Sequence, residues 1–134
     1  MPRLSVWMLR TALLALLAGT ALGAWLLATE PRYDATRAAL RDVHLTLLLF
    51  GWLVQFVLGV AYWMLPRYAS APDRGPTWAG WAAYATFLAG LGLGLLGVLL
   101  PANGLAPAGK LLLAGATFVL VVLLWGRAKP FGTP

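Results

Sequence analysis

The chain contains no cysteine, one histidine, three methionines and four acidic residues. Without cysteine there are no disulfides, no thiol chemistry and no iron–sulfur cluster held by the chain itself. A lone histidine, His44, cannot make a zinc site. The two serines, Ser5 and Ser70, have no histidine–acid pair at their depth, so a serine hydrolase is a poor reading. Charge is also scarce, at 10% of residues against roughly 25% in soluble domains. No Asp, Glu, Lys or Arg falls deep in an apolar run, which weakens a transporter or channel, whose paths generally carry such groups.

What the chain has instead is apolar length. Hydrophobic residues make up 61% of the 134 positions, and they gather into four runs long enough to span a bilayer. The reading is an all-α integral membrane protein: one domain, 1–134, forming a four-helix antiparallel bundle with spans near 6–28, 38–65, 78–100 and 108–125. The basic start followed by an apolar stretch resembles a cleavable leader. Its length, with Trp7 and Trp25 near its two ends, favours a retained first helix. Gly19-x-x-x-Gly23 in that helix permits close approach of a neighbour. Glu30 to Asp34 forms the first loop, and Asp34 or Thr36 caps the second helix, which ends by Leu65 because Pro66 disfavours helix before it. Residues 66–77 form a polar loop. Trp78, Trp81 and Tyr84 open the third run as an interfacial belt. The glycines from Gly90 to Gly97 read as a packing surface and not as a nucleotide loop, since no strand precedes them and no phosphate-binding lysine follows.

The net charge of +6 caps the runs instead of forming a stripe, so it points to topology and lipid contact and not to nucleic acid. Arg3, Arg10, Arg67, Arg74, Arg127 and Lys129 share one side; Arg32, Arg37, Arg41 and Lys110 share the other. The majority places both termini in the cytoplasm, with His44 near the outer end of the second helix.

An ionisable side chain within a span is costly and suggests a functional site. Helical spacing groups Arg37, Arg41, His44, Leu48, Gly51 and Gln55 on one face. The imidazole is a candidate iron ligand. Gly51 removes a side chain where a flat macrocycle would press, and Arg41 and Arg37 lie where propionates would want cationic partners. Each residue also has a plain reading: His44 and Gln55 as interhelical hydrogen bonds, Gly51 as a packing contact, the arginines as interfacial anchors.

The pattern Arg41-x-x-His44, Phe50-Gly51, Gly59-x-x-Tyr62 and Leu65-Pro66 resembles the second helix of the catalytic subunit of haem–copper oxidases, closest to the nitric oxide reductase and C-family oxygen reductase branches. The resemblance implies that the helix runs from outside to inside and that His44 is an axial ligand of a low-spin haem. Those subunits have about a dozen helices, a second axial histidine and further histidines for a second metal centre. This chain has no second histidine, so a self-contained oxygen- or nitric oxide-reducing enzyme is not expected.

A sixth ligand is then the question. Met64 is roughly 30 Å further along the same helix, Met8 belongs to the opposite end, and Tyr33 would be an unusual choice. A two-fold homodimer solves it, because His44 meets its own copy across the axis. The expectation is haem b, held without covalent attachment for want of C-x-x-C-H, serving electron transfer with a quinol or a redox protein as partner. The setting is membrane lipid, in a bacterial or archaeal cytoplasmic membrane. Two alternatives stand beside it: a non-haem structural or assembly subunit of a larger respiratory complex, and a five-coordinate haem sensor or carrier of O2 or NO.

Overall fold

The computed structural model describes residues 1–29, 34–68, 74–100 and 104–128. Glu30, Arg32, Tyr33, Ser70 and Lys129 lie outside the described residues. Four helices long and apolar enough to cross a membrane account for the fold: α1 (Arg3–Ala28), α2 (Ala35–Met64), α3 (Thr77–Leu99) and α4 (Leu105–Trp125). No strand occurs among the described residues. Leucine and alanine favour helix, and a helix satisfies its own backbone where lipid supplies no hydrogen bonds.

The helix ends follow from local chemistry. Asp34 caps α2, its carboxylate accepting from the Arg37 backbone N–H at 2.7 Å. Leu65, extended before Pro66, ends it. Gly104 takes a left-handed φ of 99° at the head of α4. The fourth helix therefore starts three residues ahead of Ala108, and Pro107 sits within its first turn, where the missing N–H costs nothing. The middle of α2, Leu47–Val54, is π-helical, a feature common at functional sites.

Helices pair through small residues. Antiparallel α1 and α2 meet where Gly59 lies beside Met8, Gly51 against Ala15 and Gly19 beneath Leu48. In α3 and α4 the backbones themselves touch. A Cβ on Gly109 would lie 2.6 Å from Gly94 Cα and 2.7 Å from the Gly90 carbonyl oxygen. The start of α3 packs beside the start of α1, with Gly80 under Leu4. A core of Leu4, Met8, Leu58, Tyr62, Tyr84, Leu120 and Leu124 fills this end, and Phe87, Leu91, Leu113 and Ala116 form a second cluster. Leu14, Leu17, Leu27, Phe118 and Val122 point outward, as lipid-facing side chains do. Trp7, Trp63, Trp78, Trp81 and Trp125 are all exposed and sit at the termini end of their helices, forming a belt on that rim.

Two arginines close helix C-termini. The Arg127 guanidinium, buried beyond α4, donates to the carbonyls of Tyr62 and Pro66 at 2.9 Å each and of Leu65 at 2.8 Å. It also lies over the Tyr62 ring, 5.3 Å from the centroid. The Tyr62 carbonyl is an orphan acceptor in the last turn of α2, those of Leu65 and Pro66 follow just past its end, and the positive charge suits the negative end of the helix dipole. At the other rim Arg37 does the same for α1, donating to Thr29 Oγ1 at 3.0 Å, to the Thr29 carbonyl at 3.3 Å and to the Leu26 carbonyl.

Substituting Arg127→Ala is expected to destabilise the bundle by about 2–4 kcal/mol, read as a lower thermal midpoint in detergent. Arg127→Lys would recover only part, since an ammonium cannot reproduce the fork. The glycines divide in the same assay. Gly109→Ala forces α3 and α4 apart and costs about 1–3 kcal/mol. Gly92→Ala meets nothing within 4 Å and is expected to be neutral or to stabilise by up to about 1 kcal/mol. Equal losses at both positions would contradict the packing described.

Candidate functional site: a cleft beside His44

The first turns of α2 and the last turns of α1 diverge around a cleft of about 1180 Å³. Thr20, Gly23, Ala24 and Leu27 line it from α1; Ala38, Arg41, His44 and Leu45 line it from α2, and Arg37 stands at its rim. The walls are mostly apolar, and the rim carries two cations, Arg37 and Arg41, beside two carboxylates, Asp34 and Asp42.

His44 is held by α1. Its Nδ1 lies 2.8 Å from the Gly19 carbonyl oxygen. A carbonyl only accepts, so Nδ1 carries the proton and donates. In the neutral ring Nε2 then holds the lone pair, which is the form that binds a metal. Metal-ligating histidines typically donate their other nitrogen in this way to a carbonyl or carboxylate. The ring also rests against Gly23, where a Cβ would overlap Cε1 and come 2.9 Å from Nδ1 and 3.2 Å from Nε2.

The face read from helical spacing divides in two. His44, Arg37 and Arg41 come together at the cleft. Leu48, Gly51 and Gln55 lie deeper and are taken up by α1: Leu48 over Gly19, Gly51 on Ala15, and Gln55 donating to the Met8 carbonyl at 3.1 Å and to Thr11 Oγ1. Thr11 in turn pairs with the Tyr84 hydroxyl at 3.0 Å, tying α3 into the same polar node. These three residues meet their neighbours in the manner of packing contacts, because the side of α2 that carries His44 is the side that abuts α1. Arg37 divides its role between the cleft rim and the α1 C-terminus, whereas Arg41 is exposed. Asp42, next to it, pairs with Lys110 of α4 at 3.1 Å.

Spacing alone missed Gly19 and Gly23 as the partners of His44. The Gly-x-x-x-Gly motif is visible in the sequence, but the register that slides it under an imidazole is not.

No cluster of three or more His, Cys, Asp or Glu side chains occurs among the described residues. A haem asks less of the protein, since the macrocycle supplies four nitrogens and the chain only the axial ligands. Met8 is buried beside Gly59 and Met64 is exposed at the far end of α2, so neither shares the depth of His44.

Fold and site together define a membrane protein with four long apolar helices among its described residues and one imidazole at a mostly apolar cleft with charged groups of both signs at its rim. The family model described as Cytochrome C and Quinol oxidase polypeptide I matches residues 3–129, and the chain belongs to that family. It is an integral membrane protein related to haem–copper oxidases, and membership supports a haem cofactor. The match carries the likeness across all four helices, well beyond the α2 pattern. No curated protein and no solved structure matches the chain.

Proposed function

We propose that the protein is a b-type haem carrier for one-electron transfer, with His44 Nε2 as an axial ligand and one haem shared between the His44 residues of a homodimer. The observation that carries this is the Nδ1 donation to the Gly19 carbonyl, which leaves Nε2 as the available donor at a cleft of suitable character. The residues fit the group: an imidazole in the ligating tautomer, apolar walls, and Arg37 and Arg41 at the rim for two propionates, with the neighbouring carboxylates already engaged, Asp42 by Lys110 and Asp34 by the α2 cap. Bound there, the haem would supply a reversible one-electron couple, tuned by burial and nearby charge.

The chain's own part is to hold the imidazole, exclude water with leucine and alanine, and pair the propionates. With both termini in the cytoplasm, the Arg37–Arg41 rim faces outside and the tryptophan belt inside. A quinol in the bilayer or a redox protein at the surface would then exchange electrons at the outer rim, in a bacterial or archaeal cytoplasmic membrane.

A structural or assembly subunit is the second reading. It is favoured by the same hydrogen bond, since His44 donating to Gly19 also ties α1 to α2 with no cofactor present. An absorption spectrum of detergent-purified protein, expressed with haem supplied, separates the two. The haem reading expects a Soret band with sharp reduced α and β bands, lost in His44→Ala, and a haem-to-chain ratio near one half. Broad reduced bands with a ratio near one would indicate a five-coordinate, gas-binding haem in each chain. A colourless protein whose His44→Ala variant assembles normally would sink the haem reading.

A further inference from the structure

We propose that Gly19 and Gly23 of α1 are positioning residues for His44, so that the first helix sets the tautomer and ring plane of the ligand the second helix carries. The functional consequence rests on the haem reading above; the geometry of the seat does not. As sequence, Gly19-x-x-x-Gly23 is a helix-association motif in which the two glycines do equivalent work. In the structure they differ.

Gly19 contributes its backbone. Its carbonyl oxygen takes the Nδ1 proton at 2.8 Å, a role any residue with the same backbone can fill. A Cβ there would meet Leu48, with Cδ2 at 2.7 Å and Cγ at 3.1 Å, and Leu47 Cβ at 3.3 Å, so the Leu48 side chain turns aside and Leu47 gives slightly. Gly23 contributes an absence. A Cβ there would overlap ring atom Cε1 and press on both nitrogens. The obstacle is a planar ring held on one edge by a hydrogen bond, and it can yield only by swinging off Gly19. A larger side chain at 23 would press further on Nε2, which a Cβ alone approaches to 3.2 Å. An alanine at 19 therefore displaces leucine and leaves the Nδ1 bond in place, whereas an alanine at 23 displaces the ring itself.

A Nδ1–H bond to a carbonyl makes imidazole a more basic ligand and fixes its rotation about the metal–nitrogen axis. Loss of the seat should weaken haem binding about 10–100-fold, the usual cost of losing an outer-shell partner of a ligand, and shift the reduction potential of what remains bound.

The chain's one histidine makes a direct test available. Protein labelled with 15N-histidine gives the signals of a single imidazole, read without haem in detergent micelles. Wild type and Gly19→Ala are expected to show the Nδ1-protonated tautomer, and Gly23→Ala to lose it while keeping wild-type helical content. Haem titration follows the same order, with Gly19→Ala near wild type and Gly23→Ala weakened. Equal loss in both variants would make the motif an ordinary association surface and overturn the proposal, as would no change in either. Should Gly23→Ala fail to fold, Gly19→Ala still decides, because loss of the Nδ1-protonated tautomer or of haem affinity in that variant overturns the proposal. A wild-type protein with the expected tautomer and no affinity for haem would overturn the haem reading and leave the seat standing. A wild-type ring protonated at Nε2 would overturn the seat itself.

Discussion

The bundle is organised by what lipid withholds. Burying leucine against leucine gains little when the alternative is leucine against an acyl chain, so helices associate through close van der Waals approach and through polar groups that need partners. Both appear here in concentrated form. Gly109 lets the backbones of α3 and α4 touch, and Gly51 and Gly59 let α2 settle on Ala15 and Met8. Where helices end, the orphan carbonyls cannot all turn to water. Arg127 takes three from the end of α2, and Arg37 takes those of Leu26 and Thr29 from the end of α1. Each cation belongs to one helix and closes another, so the caps also fix which helices are neighbours.

The same constraint explains the state of His44. An imidazole in an apolar span must spend its N–H on something, and the nearest acceptor is the Gly19 carbonyl across the α1–α2 interface. That acceptor is accessible because Gly23, one turn further on, has no side chain to keep the ring away. Packing and chemistry are thus one arrangement: the glycines that bring the helices together also choose which nitrogen keeps its lone pair. The deeper members of the face behave differently only because they meet different neighbours. Gln55 finds Met8 and Thr11 where His44 finds Gly19 and an open cleft.

Much of this was legible beforehand, and the reasons are physical. Apolar run length determines the number of helices, and Pro66 and Asp34 mark where α2 ends and begins, because these are local effects. The cost of an imidazole in a span singled out His44 as a candidate, and the structure sets it at the cleft. The roles of Arg127 and of Gly23 were not. Arg127 looks like any interfacial cation until the turn beyond α4 folds it under α2, and Gly23 looks like half of an association motif until the register is known. Helical spacing correctly put Gly51 and Gln55 on the His44 face of α2, yet it carries no information on which helix that face meets. Tertiary register, which no single helix encodes, separates the cleft residues from the packing residues.

Ligand arithmetic remains the strongest argument for a second copy. Subunit I proteins bring two axial imidazoles to a low-spin haem from two helices of a long chain, as the α2 resemblance implies. The sequence has one imidazole, the described residues form four long apolar helices, and the described methionines lie at other depths. In the proposed dimer, two-fold symmetry would supply the second imidazole without a second histidine. With the axis along the membrane normal, both copies of His44 lie at the same depth by construction, and both bring Arg37 and Arg41 to the same rim. A different subunit carrying its own histidine would have to match that depth independently. The proposed dimer needs only a surface that complements itself, and the α1–α2 cleft is the surface that His44 lines.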